Sequence, residues 1–189
     1  MTLHTAAPTL ASQTLAGPLG PLTLVGSAAG LRAILWTDDD PARAGLADID
    51  LLQASSSVLD DAAAQLDEYF AGNRRSFDLP LDLHGTPFQL DAWRALATIP
   101  FGETRTYAAQ AAAIGRPAAV RAVGAANGRN PLSIVLPCHR VVGSDGSLTG
   151  YAGGLEAKAA LLAHEAAQVN GHHQPDADGG TGSGAAPRC

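Results

Sequence analysis

The sequence predicts a two-domain α/β (α+β) chain, a small mixed unit followed by a mainly helical one, and three observations carry that prediction. The first half sets short apolar runs between turns and then gives one amphipathic helix. The second half strings together helices with threonine or proline at their starts and glycine at their ends. The charge changes sign between the two halves. A length of 189 residues allows one large domain or two small ones. The hydrophobic share, 46%, is that of a globular protein, but only 5% is aromatic and much of the rest is alanine, which packs helices closely and buries little area.

In chain order, residues 21–25 and 31–36 read as strands around the turn at 26–30. Asp38, Asp39 and Asp40, followed by Pro41, read as a solvated loop. Residues 58–70 place Val58, Leu59, Ala62, Ala63, Leu66, Tyr69 and Phe70 at helical spacing, with Gly72 as the stop. Residues 79–83 form an extended connector and His84-Gly85 a hinge, so the expected units are 1–83 and 84–168. Thr86, Pro87 and Gln89 have the form of a capping box with proline at the first helical position, and Leu90, Trp93, Leu96 and Ala97 follow on one face. Residues 100–102 close that helix. A second helix spans 106–114 and ends at Gly115, and a third spans 117–126 with Pro117 priming its first turn. Two short helices joined by a tight glycine-containing turn have the shape of a helix-turn-helix. An apolar extended run at 132–136 leads to Cys138, and 141–148 reads as a hairpin around Asp145-Gly146. The last helix spans 155–168. From 169 to 189 there is no periodicity, which reads as a disordered tail.

No run approaches the roughly 18 apolar residues that span a bilayer, and the first twenty residues lack a basic segment followed by an apolar one, so a cytoplasmic protein without membrane contact is expected. The two cysteines, Cys138 and Cys189, make a structural disulfide an unattractive reading. Cys138 is then either inert core filling or a reactive thiol. The net charge of −6 argues at face value against a nucleic-acid partner. Divided at the hinge, however, residues 1–83 carry −7, residues 84–168 carry +2 and the tail −1. From Arg94 to Arg140 there are six arginines against the single acid Glu103, and this +5 window holds the helix-turn-helix.

Cys138 stands after a rigidifying proline and before His139 and Arg140. A thiol attacks only as thiolate, so positive charge or a proton acceptor must lower its pKa from ~8.5. Neighbours on an extended chain face opposite ways, so His139 would act on Cys138 through a bridging water. An acid is then wanted to orient the imidazole, and Glu165 on the last helix, one turn after Leu161 and Leu162, is the candidate. The plain alternative is an exposed helix glutamate.

The run Leu136-Pro137-Cys138-His139-Arg140-Val141-Val142, with Asn130-Pro131 before it, Gly150-Tyr151-Ala152-Gly153-Gly154-Leu155 after it and Leu161-Leu162-Ala163-His164-Glu165 beyond, resembles the O6-alkylguanine-DNA alkyltransferases, the methylated-DNA-protein-cysteine methyltransferases. The resemblance is strong from Thr86 to Glu165 and weaker from Gly17 to Phe70. It implies a ribonuclease-H-like N-terminal domain and a C-terminal domain with a winged helix-turn-helix. It implies DNA repair by direct reversal, in which Cys138 takes the alkyl group from O6-alkylguanine, and from O4-alkylthymine, once and irreversibly. By the same resemblance His139 is the base working through water, Glu165 holds it, and Asn130 orders the active-site turn. Tyr107 stabilises the departing guanine, and Arg121 enters the duplex in place of the extruded nucleotide. Val141, Tyr151, Ala152 and Gly153 wall the base pocket. The implied partner is double-stranded DNA bearing the lesion, bound by a monomer without cofactor.

Chemistry favours the same reading. An O6 substituent lies on the base-pairing edge, so attack by sulfur requires the nucleotide to be flipped out, and a long cation such as Arg121 can fill the hole. The third helix presents Ala118, Ala119, Ala122, Ala125 and Ala126, small side chains that permit close approach without reading bases, although helix packing explains any one of them equally well. Arg129 and Arg140 either contact phosphate or structure the turn. Some relatives bind zinc through an N-terminal cysteine, but no Cys precedes Cys138, so no metal is expected; His4, His172 and His173 read as solvated. Some relatives carry Ser where Ala152 stands. A non-catalytic sensor of alkylated DNA, a helix-turn-helix regulator with a structural cysteine, and more distantly a cysteine hydrolase remain as alternatives. The modest local charge also predicts few phosphate contacts and a shallow salt dependence.

Overall fold

The computed structural model describes residues 10–47 and 49–171, so His4, His172, His173, Cys189 and nearly all of the expected tail lie outside the described residues. Strands β1 (Leu10–Gly17), β2 (Gly20–Ser27) and β3 (Gly30–Trp36) form an antiparallel meander, and β4 (Leu51–Gln53) pairs with β1 in parallel, giving the order β3-β2-β1-β4. The two expected strands fall within β2 and β3; β1 and β4 add to them. Alternation along β3 sends Ile34 and Trp36 to the main core and Ala33 and Leu35 to a smaller one with Leu10, Val25, Ala44 and Leu46. Both faces of the sheet are therefore covered, and every residue of β3 is buried.

The acidic run after β3 is a loop with Asp38 and Asp40 exposed, as expected, but it is more ordered than a freely solvated one. Asp40 caps a 3-10 turn, Pro41–Ala44, by accepting the Ala42 N–H, and Asp39 pairs with Arg43 with its carboxyl only 4% exposed. Helix α1 (Ser57–Phe70) starts where the Ser56 side chain accepts the Leu59 N–H, and it buries Leu59, Ala62, Ala63, Leu66 and Tyr69. Each large aliphatic buried in this way contributes about 1.5–3 kcal/mol. The connector then lies along the edge of β3, with Leu31 N–H donating to Pro80 O and Asp82 N–H to Leu31 O. Gly30 permits this approach. Its φ is +151°, and a Cβ there would sit 2.4 Å from the Pro80 carbonyl oxygen.

In the second half, α2 (Pro87–Leu96) has the capping box that the sequence predicts, with Thr86 and Gln89 each bonding the other's backbone N–H. Strand β5 (Arg105–Thr106) leads into α3 (Tyr107–Ala113), and α4 (Val120–Gly128) follows. α4 begins three residues later than expected: Pro117 and Ala118 lie in a turn closed by the Ala119 N–H donating to Arg116 O, and the helix opens at Val120 without a side-chain cap. A buried Gln110–Asn127 pair exchanges two hydrogen bonds, at 3.0 and 2.7 Å, and fastens α3 to α4, while Gln110 also donates to Ala92 O on α2. The expected hairpin at 141–148 does not form. β6 (Val141–Val142) pairs in parallel with β5, and Gly143–Ser147 is a closed turn with no returning strand. α5 (Gly154–Asn170) runs two residues past its expected end, into what the sequence reads as tail. One apolar cluster runs through both halves, from Leu22, Leu24 and Ile34 to Leu132, Cys138 and Leu161. Among the described residues no helix is long and apolar enough to cross a membrane.

Candidate active site

Cys138 is not delivered by a strand. Residues 132–136 turn back on themselves: Leu136 N–H donates to Leu132 O, and Ile134 sits at φ +73°, a strained value for a β-branched residue that full burial holds in place. Cys138, His139 and Arg140 then form one 3-10 turn. Asn130 closes the segment. Its amide donates to Leu136 O at 2.7 Å and to Cys138 Sγ at 3.2 Å, and its side-chain oxygen accepts the Leu132 N–H. The first half of the chain grips the same segment, with Ile34 N–H donating to Pro131 O and Arg43 to Asn130 O.

Beside the cysteine lies a buried charge cluster. His139 Nε2 is 2.8 Å from Glu165 Oε1, and both side chains are fully buried. Arg140 binds the same carboxylate through Nε and Nη2, and its Nη1 donates to Ile99 O. Tyr69 OH and the Gly102 N–H complete the ring of donors. Burial opposes ionisation of Glu165, but hydrogen bonds and charge from His139 and Arg140 outweigh it and hold the carboxyl at about 2. The ionised carboxylate can only accept, so Nε2 carries the imidazole proton and Nδ1 carries the lone pair. Nδ1 is buried and has no hydrogen-bond partner among the described residues. Burial pushes the His139 pKa below 6.5, so at neutral pH it is a free base. His139 makes no direct hydrogen bond to Cys138.

Lys158 is a buried charge beside the site that the sequence reading did not single out, although it is the chain's single lysine, one turn before Leu161 and two before Glu165 on α5. It is fully buried, and Nζ donates to Val141 O at 2.6 Å and Thr149 O at 2.8 Å. Burial pushes the Cys138 thiol up and outweighs the Asn130 hydrogen bond and the charges of Lys158 and Arg43, which pull it down, so the resting sulfur is a neutral thiol that must give up its proton to react. Tyr107, at the start of α3, donates to Thr149 O and lies with its ring 6.0 Å from the Lys158 ammonium. Val141 is buried, and Tyr151, Ala152 and Gly153 are half-buried beside it.

On the outer face of α4, Arg121 and Ala122 are exposed, as is Arg129 at the helix end, and Ala119 is half-buried. Ala126 is 3% exposed, and its carbonyl accepts the Trp93 indole N–H at 2.8 Å, so it packs α4 on α2 and is withdrawn from the surface expected to meet DNA. Arg140 is likewise structural, and Arg105 donates to Thr98 Oγ1, Thr98 O and Ala95 O at the end of α2. The +5 window therefore overstates the charge available to phosphate.

Residues 11–83 match the family model of the 6-O-methylguanine DNA methyltransferase ribonuclease-like domain, and residues 87–167 that of the DNA binding domain. A methylated-DNA–protein-cysteine methyltransferase from Mycolicibacterium paratuberculosis is 48% identical over 155 residues, covering 81% of this chain and 90% of that one. One from Shigella flexneri is 45% identical over 163 residues, covering 82% and 95%. The crystal structure of Mycobacterium tuberculosis OGT in complex with DNA superimposes with a TM-score of 0.75 at 44% identity, over 84% of this chain and 94% of that one. Matched through both halves and over most of the length of these relatives, the chain belongs to the 6-O-methylguanine DNA methyltransferase family.

Proposed function

We propose that this chain repairs DNA by moving one alkyl group from O6-alkylguanine, or O4-alkylthymine, onto Cys138, acting as a monomer on double-stranded DNA. The observation that carries the reading is the buried cysteine between the Asn130 amide and the His139–Glu165 pair, under a helix-turn-helix. Residues 84–168 perform the chemistry and residues 1–83 support it. The Cys138 proton passes through a water to His139 Nδ1, Glu165 holding the resulting imidazolium. The thiolate attacks the alkyl carbon, the S–C bond forms as the C–O bond breaks, and the electron pair leaves on the guanine, which takes up a proton with Tyr107 beside it. The thioether has no leaving group that restores the thiol, so each chain acts once. A sensor without a nucleophile would need no cysteine here, and a regulator would need more base-reading side chains on α4 than Arg121 and alanines.

The test is intact mass after incubation with a duplex oligonucleotide bearing O6-methylguanine. A gain of one methyl per chain, on the Cys138 peptide, is expected; continued turnover, or no gain by a folded chain, refutes the reading.

Two further results are expected. Arg121→Ala slows repair in duplex by at least ~10-fold and changes reaction with free alkylguanine base little, since filling the vacated stack offsets an unstacking cost of a few kcal/mol; equal losses on both remove the assignment. The transfer rate also rises with pH through a single step centred below 6.5, as His139 loses its proton, and a midpoint above that value contradicts a buried neutral base.

A further inference from the structure

The reacting half of the molecule is expected to set which alkyl groups fit, but part of the pocket's backing comes from the other half. Trp36, the last residue of β3, is 7% exposed and meets Tyr151 edge-on with ring centroids 5.9 Å apart. Tyr151 in turn meets the His139 ring edge-on at 6.2 Å, so one file of aromatic rings runs from the N-terminal sheet to the candidate base. Gly153 lies flat on the indole: a Cβ there would come within 2.5 Å of Trp36 Cε2 and 2.6 Å of Cδ2. Trp36 Nε1 is buried without a hydrogen-bond partner among the described residues, so among these the indole is held by packing. The strand that carries it is tied to the other half by Ile34 N–H to Pro131 O, and the turn after that strand by Arg43 to Asn130 O.

We infer that Trp36 is a specificity-determining positioning residue, whose indole prevents the Tyr151–Gly153 wall from receding and so restricts the pocket to small alkyl groups. The inference rests on the alkyl-transfer reading and deepens it. A wall segment pressed on a rigid ring cannot move toward that ring, and in a close-packed interior a bulky substituent needs the volume that such movement would provide. Truncating the indole leaves that volume behind the wall, and differences of a few methylenes in an apolar pocket shift selectivity by ~10–200-fold.

The experiment compares single-turnover rate constants of the full chain on duplexes carrying O6-methylguanine or O6-benzylguanine. In Trp36→Ala the benzyl-to-methyl ratio is expected to rise at least ~10-fold, and in Trp36→Phe, which keeps a flat ring, to stay near that of the unaltered chain. Trp36→Leu serves if the alanine variant does not fold. Parallel losses on both substrates, with the ratio unchanged, mean that Trp36 only supports the fold and overturn the inference. A second readout does not depend on chemistry: Gly153→Ala is expected to lower Tm in the unaltered chain and to do so far less in Trp36→Ala, and equal losses in both backgrounds overturn the contact. Failure of the unaltered chain to accept methyl strikes at the alkyl-transfer reading instead.

Discussion

Cys138→Ser is expected to bind alkylated duplex as the unaltered chain does and to gain no methyl group. The substitution is close to silent for the fold. The side chain is 6% exposed, the oxygen is smaller than the sulfur it replaces, and the Asn130 amide that donates to Sγ at 3.2 Å can donate to a hydroxyl in the same place. It is not silent for the chemistry. Even with its pKa pushed up by burial, a thiol is far more acidic and intrinsically more nucleophilic than a hydroxyl, and His139 makes no direct hydrogen bond to this position that could activate a serine. Lys158 and Arg43 stabilise a charge that serine does not develop. The measurement is intact mass against O6-methylguanine duplex, paired with a gel-shift titration and a melting curve. Transfer by the serine variant would show that another residue is the nucleophile, and loss of binding together with transfer would show that Cys138 holds the fold rather than the reaction.

What the sequence discloses and what it hides divide along the range of the interaction. Local chemistry is legible: Thr86, Pro87 and Gln89 spell the start of α2, and the apolar spacing from Val58 to Phe70 spells α1. Motif chemistry is legible as well, because Cys138, His139 and Asn130 stand within nine residues of one another. The failures come where distant groups decide. Residues 132–136 have the composition of a strand, but of these Leu132 alone bridges to Ile34, beside the Ile34 N–H bond to Pro131 O, and the chain turns at Ile134 at a cost in backbone strain that no local propensity announces. Asp145-Gly146 does make its turn, but the strand it would return to is replaced by pairing of β6 with β5 from thirty-six residues earlier. β1 holds only two leucines, and its pairing with β2 makes it a strand. Tyr69 looks like one more apolar position of α1, and nothing near it in sequence marks its hydroxyl for Glu165, 96 residues away. Trp36 is hidden in the same way, since its partners Tyr151 and Gly153 lie in the other half of the chain.

Glu165→Gln is expected to cost the fold about 3–5 kcal/mol, the usual penalty for removing one partner of a buried ion pair. The amide keeps the size of the carboxyl but not its charge, which leaves the Arg140 guanidinium buried without a counterion. One amide oxygen must also serve donors from Tyr69, Gly102, His139 and Arg140 that two carboxylate oxygens now share. For a chain of this size, each kcal/mol lowers Tm by about 2–4 °C, so a fall of about 6–20 °C is expected in a melting experiment at neutral pH. The pH dependence identifies the cause. The carboxyl is held at about 2 against an ordinary 4.5, a preference for the charged form in the native state of about 3 kcal/mol. A group whose pKa is depressed by folding contributes that stability in full above its unfolded value and loses it as pH falls through the folded one. Unfolding free energy of the unaltered chain should therefore decline between pH 4.5 and 2 more steeply than that of Glu165→Gln, the two curves converging in acid. Transfer slows as well, by ~10²-fold or more, because the imidazolium formed when Cys138 ionises has lost the anion that holds it. Parallel stability curves, or a variant that melts within 2 °C of the unaltered chain, would mean that Arg140 and His139 do not depend on this carboxylate, and the base would then have to be oriented by something other than Glu165.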